Sequence, residues 1–231
     1  MSPPRAIAAA LFDIDGTLID SGGASDRAWR RAFAELYGVD FSVAEHTGKG
    51  VPDPEVGREA LRIILGREPS GRELIAAMRL RLRYLPEEVA ASPGYRVQPG
   101  AEELLRRLSE RGVLLGLTTG NVEAAAHIKL ARANLNHYFA FGGYGSDASE
   151  RAELTRIAVE RARRLSGEPL PAAEIVSVGD TPRDVEAGHA AGIRVVGVAT
   201  GKYSVGELRA AGADWAVETL ADGLPAELAP R

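Results

Sequence analysis

AIAAALFDIDGT, residues 6–17, joins an apolar run to two carboxylates and a glycine. Residues 6–12 are apolar throughout, which is typical of a strand buried on both faces of a parallel sheet. This strand is expected to end at Asp13, and Asp15 follows two residues later. Because residues i and i+2 of an extended segment point to the same side, both carboxylates are expected to face one space. Gly16 then permits a sharp turn.

Apolar runs alternate with helix-length amphipathic segments through most of the chain. Further apolar runs lie at 113–118, 138–142, 174–178, 193–198 and 214–217. Helix-like stretches lie at about 99–111, 122–133, 149–165, 182–191 and 204–211. Apolar strands that are each followed by a helix predict an α/β fold in which a parallel sheet has helices on both faces. Ligands bind such sheets at the carboxyl ends of the strands, so functional residues are expected directly after the apolar runs.

Residues 20–95 interrupt this alternation and are too long for a structureless loop inside a compact domain. Their composition is helical over 28–38, 54–66 and 71–85. Natural helix stops lie at Gly38, Gly66 and Pro86. We therefore predict a small helical cap domain over 20–95, inserted into an α/β core domain formed by 1–19 and 96–231.

Composition excludes several classes of function. The chain has 231 residues and a formal charge of -4, without a dense block of Lys and Arg, so a nucleic-acid partner is not expected. The absence of cysteine excludes disulfides, thiolate metal sites and thiol catalysis. No run of about 18 apolar residues occurs, so no membrane segment is expected. Residues 6–12 are too short for a secretory signal and lead directly into charged residues, so we expect a cytoplasmic protein; its oligomeric state stays open.

A third carboxylate follows another apolar run, in SVGDTPRD at 177–184. Capping of a helix by Thr181, with Asp184 in the first turn, explains part of this segment but leaves Asp180 unexplained. We expect Asp13, Asp15 and Asp180 to hold a hard divalent cation, Mg²⁺, because clustered carboxylates repel one another without one. The alternative for the first pair is an Asp-Gly hairpin turn, but no partner strand follows it.

Two further strand ends carry groups suited to an anion. GLTTGN at 116–121 places hydroxyls and backbone N–H groups at the start of a helix, where phosphate oxygens bind well. Ordinary capping by Thr119 or Asn121 explains this segment almost equally well. Arg151 begins the helix after the next strand, where a cation opposes the helix dipole. Its expected partner is an anion, either the carboxylate cluster or a substrate phosphate, and both alternatives stay open.

Taken together, DIDGT, GLTTGN, Arg151 and GDTPRD resemble the four motifs of the haloacid dehalogenase-like (HAD) hydrolase superfamily. The resemblance covers the whole chain, and the insertion lies where subfamily I members carry a helical cap. The phosphoglycolate phosphatase-like branch is the most similar in layout. One departure is that the third motif commonly reads Lys-Pro in such phosphatases, whereas this chain has Arg151-Ala152.

The resemblance implies a role for each motif residue. Asp13 is implied as the nucleophile that takes up the phosphoryl group, and Asp15 as the general acid and base. Asp180 is implied as a magnesium ligand, and Asp184 as the residue that orients the cluster. Substrate binding is expected from Thr119, Gly120, Asn121, Arg151 and Lys49, of which Thr119 and Arg151 are also catalytic candidates.

Within the insertion, HTGKGVPDPE at 46–55 is the segment least explained by helix packing. Its glycines would let the backbone approach a ligand, with Lys49 or His46 meeting polar groups. A plain turn between helices with a solvated lysine is equally consistent with this segment. Arg79, Arg81 and Arg83 recur at a spacing of two, so they fan round a helix and are expected to be solvated.

These observations predict a Rossmann-like α/β enzyme with a helical cap. The expected activity is that of a magnesium-dependent phosphatase that hydrolyses a small organic phosphomonoester through an aspartyl phosphate. One alternative is a phosphomutase of the β-phosphoglucomutase kind, which would return the phosphoryl group to a second hydroxyl. The other is a non-catalytic protein that binds a phosphate ligand.

Overall fold

A parallel sheet forms the centre of the computed structural model, which describes residues 7–48 and 50–228. The strands in chain order are β1 (Ala9–Phe12), β2 (Ile19–Ser21), β3 (Tyr95–Val97), β4 (Leu114–Thr119), β5 (Phe141–Tyr144), β6 (Ile175–Gly179), β7 (Arg194–Val198) and β8 (Trp215–Val217). Six of them form the sheet in the order β5-β4-β1-β6-β7-β8, and all neighbours in it are parallel. β2 and β3 instead pair with each other, antiparallel.

Helices cover both faces of this sheet. They are α1 (Ala24–Tyr37), α2 (Asp53–Leu65), α3 (Gly71–Ala91), α4 (Ala101–Glu110), α5 (Glu123–Ala131), α6 (Arg151–Ser166), α7 (Pro182–Ala190) and α8 (Val205–Ala210). Successive residues of β1 point to opposite faces, so Phe12 packs with Leu105 of α4 whereas Leu11 packs with Ala158 of α6. The predicted α/β fold, a Rossmann-like parallel sheet with helices on both faces, is confirmed.

The strand order places the chain's motifs beside one another. From β1 the sheet extends through β4 to β5 on one side, and through β6 to β8 on the other. Phe12 lies in register with both Leu117 and Val178. The segments that follow β1, β4 and β6 therefore emerge side by side where the strand order reverses, which is where ligands bind in sheets of this kind.

Helices α1, α2 and α3 lie between β2 and β3. The two strands pair Asp20 with Arg96, so the chain leaves the sheet and returns to it through one short ribbon. Helices α1 and α2 both pack against α3, and the three share an apolar cluster that contains Trp29, Phe33 and Leu61. The assignment of residues 20–95 to a separate cap domain stays a prediction.

Some helix and strand ends lie where the sequence predicts them, and others differ. Gly38 and Gly66 end α1 and α2 in the left-handed conformation, as predicted. Pro86 does not end its helix, and α3 continues through it to Ala91. Val89 beyond the proline is buried against other apolar side chains, and this packing outweighs the hydrogen bond that proline removes. The strand expected at 138–142 instead spans β5, because a short 3-10 turn occupies Asn136–Tyr138.

None of the helices in the described ranges combines the length and the apolar character needed to cross a membrane.

Candidate active site

A cavity of about 390 Å³ opens at the carboxyl ends of β1, β4 and β6. Its lining on the sheet side includes the sequence-predicted residues Asp13, Asp15, Thr119, Gly120, Asn121 and Arg151. Residues of α1, α2 and the segment between them line the opposite side. The structure thus brings together sequence-predicted residues as far apart in the chain as Asp13 and Arg151, which are separated by 138 positions. Lys49, the remaining predicted substrate-binding residue, lies outside the described residues.

Three buried carboxylates form a compact group beside this cavity. Asp13, Asp180 and Asp184 each offer an oxygen, and these atoms all lie within 4.8 Å of one another. The predicted metal set contained Asp13, Asp15 and Asp180, but the Asp15 carboxylate lies outside the group and Asp184 lies within it. Asp184 also caps α7, because its Oδ2 accepts hydrogen bonds from the backbone N–H and the hydroxyl of Thr181.

Two glycines leave room for the carboxylate of Asp180, which is fully buried. Gly16 has a φ of +94°, and a Cβ placed on it would lie 2.3 Å from Oδ2 of Asp180. A Cβ on Gly201 would lie 1.7 Å from the same oxygen. Any side chain at either position would displace this carboxylate, so both glycines are needed for the observed arrangement.

The charge balance of the site favours a bound cation. Burial raises the pKa of Asp13 to about 6, and Asp184 and Asp15 add to the increase while Arg151 opposes it. Lys129 and Arg151 are the cations that contact these carboxylates. Within this set, the aspartates at 13, 15, 180 and 184 exceed the two cations by two charges when all are ionised. One divalent ion would balance this excess, and carboxylate oxygens are ligands that Mg²⁺ prefers. The donor set therefore fits the predicted metal.

Arg151, the first residue of α6, bridges two of the carboxylates. Its Nη2 lies 2.8 Å from Oδ1 of Asp13 and donates a 2.5 Å hydrogen bond to Oδ1 of Asp184. The same nitrogen donates to the backbone oxygen of Thr118 over 3.3 Å. Burial would lower the pKa of Arg151, but the two carboxylates outweigh it and raise that pKa. Of the two expected anionic partners, the carboxylate cluster is present, and Arg151 also lines the cavity, where a phosphate would bind.

Asp15 is held through one oxygen. Its Oδ2 accepts a 2.6 Å hydrogen bond from Nζ of Lys129 and a 2.8 Å hydrogen bond from Nδ2 of Asn121. Asn121 donates in turn to Oγ1 of Thr119 over 2.9 Å. The cavity wall removes water from Asp15, which raises its pKa, but Lys129 and Asn121 outweigh this and the pKa lies below its ordinary value. Asp15 is therefore ionised and fixed in orientation.

Lys129 is a site residue that was not predicted from the sequence. It lies in the last turn of α5, where a cation suits the helix dipole, and it therefore looks like an ordinary surface residue. Its position along the helix indicates burial, however. It shares the buried stripe of α5 with Ala125, Ala126 and Leu130. A lysine on an apolar stripe is buried at a cost unless it meets an anion, and here that anion is Asp15.

A second buried ion pair connects α3 to the first residue of α2, which is also bonded to the segment after β4. The expectation that Arg81 is solvated is wrong, because it is fully buried. Its Nη1 lies 2.7 Å from Oδ2 of Asp53, which also accepts a 2.9 Å hydrogen bond from the backbone N–H of Val122. The backbone N–H of Asp53 donates to the carbonyl of Gly120 over 2.7 Å. The start of α2 is thus bonded at two points to the GLTTGN segment and the residue that follows it.

The segment at 46–55 approaches the cavity through residues other than His46. Thr47, Gly50 and Val51 line the cavity. His46 is exposed, its Nδ1 lies 2.9 Å from the carbonyl oxygen of Ser42, and its ring stacks on Phe41 at 4.4 Å. The described part of the segment therefore supports a ligand-facing loop, whereas His46 does not belong to the cavity wall.

Comparisons with known proteins indicate the same family. A family model for haloacid dehalogenase-like hydrolases matches residues 7–192. A phosphoglycolate phosphatase of Synechococcus elongatus is 29% identical over 227 residues, which cover 94% of this chain and 96% of that protein. A plasmid phosphoglycolate phosphatase of Cupriavidus necator is 30% identical over 225 residues, which cover 96% and 93%.

A similar fold occurs among solved structures. The crystal structure of CbbY from Rhodobacter sphaeroides in complex with phosphate superposes with a TM-score of 0.74. It is 22% identical, and the match covers 96% of this chain and 99% of that one. At this identity the match shows a shared fold.

Proposed function

We propose that this chain, which belongs to the haloacid dehalogenase-like hydrolase family, is a magnesium-dependent phosphatase of small organic phosphomonoesters. The observation that carries the proposal is the position of Asp13. Its carboxylate faces the cavity, lies 2.8 Å from Nη2 of Arg151 and belongs to a buried group of three carboxylates. A carboxylate beside a cation and a metal site is suited to attack an anionic phosphate.

Asp13, Asp180 and Asp184 would hold the metal, and Mg²⁺ there would screen the repulsion between the nucleophile and the phosphate. In the first step, an oxygen of Asp13 forms a bond to phosphorus while the ester bond breaks. Asp15 is ionised in the free site, so it takes up a proton from solvent when the anionic ester binds beside it and raises its pKa. It then gives this proton to the departing alkoxide, which leaves as the neutral alcohol. In the second step, Asp15 takes a proton from water, whose oxygen attacks phosphorus. The bond to Asp13 then breaks, and inorganic phosphate is released.

In the proposed reaction, groups on β4 and α6 would bind the phosphoryl oxygens. Oγ1 of Thr119 accepts hydrogen bonds from the amide and the backbone N–H of Asn121, so its own proton is left for a phosphoryl oxygen. Arg151 adds a positive charge 2.8 Å from Asp13. Donors fixed in advance around the transferring group are the main source of stabilisation in phosphoryl transfer.

The relatives support a phosphate ester as the substrate class, because those compared are named phosphoglycolate phosphatases. We further propose residues 20–95 as the cap that covers the reacting group, with 1–19 and 96–231 as the core. The paired strands β2 and β3 and the shared apolar cluster of α1 to α3 support this division. The cytoplasmic location expected from the sequence stays a prediction.

A phosphate-release assay over a panel of phosphomonoesters tests the proposal. With Mg²⁺ we expect release of phosphate in step with the alcohol, and with a chelator we expect none. Asp13→Asn should lower kcat by about 10³-fold or more, because an amide does not attack phosphorus. Asp40→Asn, which removes an exposed carboxylate paired with Arg30, serves as the matched control and should leave kcat unchanged.

Other outcomes would contradict the proposal. Near-normal turnover by a folded Asp13→Asn variant would reject the nucleophile. An isomerised phosphate ester without free phosphate would indicate the mutase alternative. Tight binding of esters without any turnover would indicate the non-catalytic alternative.

A further inference from the structure

The side of the cavity that faces the catalytic carboxylates is mainly apolar. We use the term cap wall for six of its described residues on α1, on α2 and between them, which lie beside Gly50 and the ion-paired Asp53: Ser25, Trp29, Val43, Thr47, Val51 and Val56. Trp29 stacks on Phe33 at 5.3 Å, which fixes the orientation of its ring. In the proposed reaction, the alcohol part of the substrate points away from Asp13 and therefore towards this wall.

Both hydroxyls of the cap wall already have partners. Thr47 donates through Oγ1 to the carbonyl oxygen of Val43 over 2.8 Å. The hydroxyl oxygen of Ser25 accepts a hydrogen bond from Nη2 of Arg81 over 3.3 Å. Ser25 only accepts in this contact, so its own proton is left for a ligand. Apart from this one donor, the wall presents mainly hydrocarbon surface to a substrate.

The positive charge behind the cap wall is not available to a ligand. The guanidinium of Arg81 lies 5.3 Å from the centre of the Trp29 ring but is fully buried and paired with Asp53. Asp53 itself lines the cavity, so the charge nearest to the wall that reaches the cavity is negative. Within 7–48 and 50–228, the wall offers no cation to a substrate carboxylate, and burial of an unpaired carboxylate is costly.

Two further cations line the cavity outside the cap wall, on β3 and on the segment after β7. Arg96 of β3 lines the rim, but its side chain is 60% exposed and pairs with Asp20 at 2.6 Å. Lys202 lies on the exposed segment after β7. Both are far more exposed to water than the cap wall, where salt and solvent screen their charge.

The size of the cavity indicates a substantial alcohol. Its volume of about 390 Å³ lies in the range of pockets that enclose drug-sized ligands. Apolar walls of this kind contribute binding free energy in proportion to the apolar surface that a ligand buries.

From this wall we infer that the substrate is the phosphomonoester of an uncharged alcohol with an apolar part, and not a phosphorylated hydroxy acid. The inference rests on the proposed phosphatase activity and adds the chemical class of the leaving group. It separates this chain from its relatives named phosphoglycolate phosphatase, because phosphoglycolate carries a carboxylate on the alcohol.

Three esters whose alcohol parts change from charged to small and uncharged to large and apolar test the inference. They are 2-phosphoglycolate, ethyl phosphate and 2-phenylethyl phosphate, each assayed with Mg²⁺. We expect kcat/KM to rise from the first to the third, with ethyl phosphate about tenfold or more above phosphoglycolate. Equal or better turnover of phosphoglycolate would overturn this inference and leave the proposed function intact. Absence of phosphate release from all three would overturn the proposed function and the inference with it.

Variants of the loop before α2 give a second test. Thr47→Arg adds a cation to the cap wall and should raise the kcat/KM ratio of phosphoglycolate to ethyl phosphate about tenfold. Ala44→Arg adds the same charge at an exposed residue outside the cavity lining and should leave the ratio unchanged. An unchanged ratio in folded Thr47→Arg would overturn the inference. Selective loss of phosphoglycolate turnover in Lys49→Met would also overturn it, because that result would place a substrate-binding cation at the cap wall.

Discussion

Nζ of Lys129 lies 2.6 Å from Oδ2 of Asp15, and the two residues form an ion pair inside the cavity. The lysine side chain is only 3% exposed, whereas that of Asp15 is 39% exposed. Together with Asn121, the lysine fixes Oδ2 of Asp15. Neither of these two residues bonds to the other carboxylate oxygen, Oδ1. Lys129 is therefore a positioning residue for the proposed acid and base.

Replacement of Lys129 should affect substrates according to their leaving groups. Lys129→Met leaves Asp15 without its main partner, so we expect kcat/KM for an alkyl phosphate to fall about 10²-fold. This ratio is compared because kcat also contains the hydrolysis of the phosphorylated enzyme, in which Asp15 acts for every ester. A p-nitrophenyl ester should lose much less, because its leaving group departs without a proton. Steady-state kinetics with both esters measure the difference, and Arg106→Met, which removes an exposed cation of α4, serves as the control. Equal losses with both esters would show that Lys129 does not act through Asp15.

Arg151 is expected to be replaceable by lysine. Its contacts with Asp13, Asp184 and Thr118 all come from Nη2, and its Nε has no hydrogen-bond partner. The arginine thus acts as a point charge and does not use a two-pronged fork. Arg151→Lys should keep kcat within about tenfold of the wild type, whereas Arg151→Met should lower it about 10³-fold. Comparable kcat values for the two variants would contradict this role.

Substitutions of Asp53 and Arg81 should have coupled effects on stability, because each removes the partner charge of the other buried side chain. Asp53→Asn leaves the buried arginine without its anion and should lower the free energy of unfolding by about 3–5 kcal/mol. Addition of Arg81→Met should restore most of the loss, because the remaining amide still accepts from the N–H of Val122. Denaturant unfolding measures both effects. Asp40→Asn, which breaks an exposed pair, should cost less than about 1 kcal/mol. Additive losses in the double variant would contradict the coupling.

Metal affinity should depend on pH through Asp13. The pKa of this carboxyl is raised from 3.8 to about 6, so below about pH 6 a proton competes with the metal. We expect the Mg²⁺ affinity to fall about tenfold per pH unit below that value and to level off above it. Because the folded state holds this proton more tightly than the unfolded one, the metal-free protein should lose stability as pH rises from about 4 to about 6. Calorimetric titrations with Mg²⁺ test the first effect, and an affinity independent of pH would contradict it.

The convergence of Asp13, Thr119 and Asp180 could be predicted from the sequence, because each follows an apolar strand. Parallel strands bring their carboxyl ends to one edge, so spacing along the chain is enough to place such residues together. The comparisons confirm the family that these motifs resemble.

Contacts between residues on different helices could not be predicted in the same way. The partner of Lys129 depends on where α5 lies relative to the segment after β1, and that of Arg81 depends on how α3 meets α2. The shift from Asp15 to Asp184 in the carboxylate group has a similar cause, because Lys129 and Asn121 hold Asp15 away from it. Periodicity places a side chain on a face but does not identify what that face meets.

Chemical trapping of the phosphorylated enzyme tests the central claim most directly. The protein is quenched with acid during turnover with Mg²⁺ and reduced with borohydride, which converts an acyl phosphate to an alcohol. Mass spectrometry of the peptide that contains residue 13 should then find homoserine in place of aspartate. No such product should form without substrate or in Asp13→Asn. Release of phosphate with aspartate intact at residue 13, or homoserine at another position, would contradict the account.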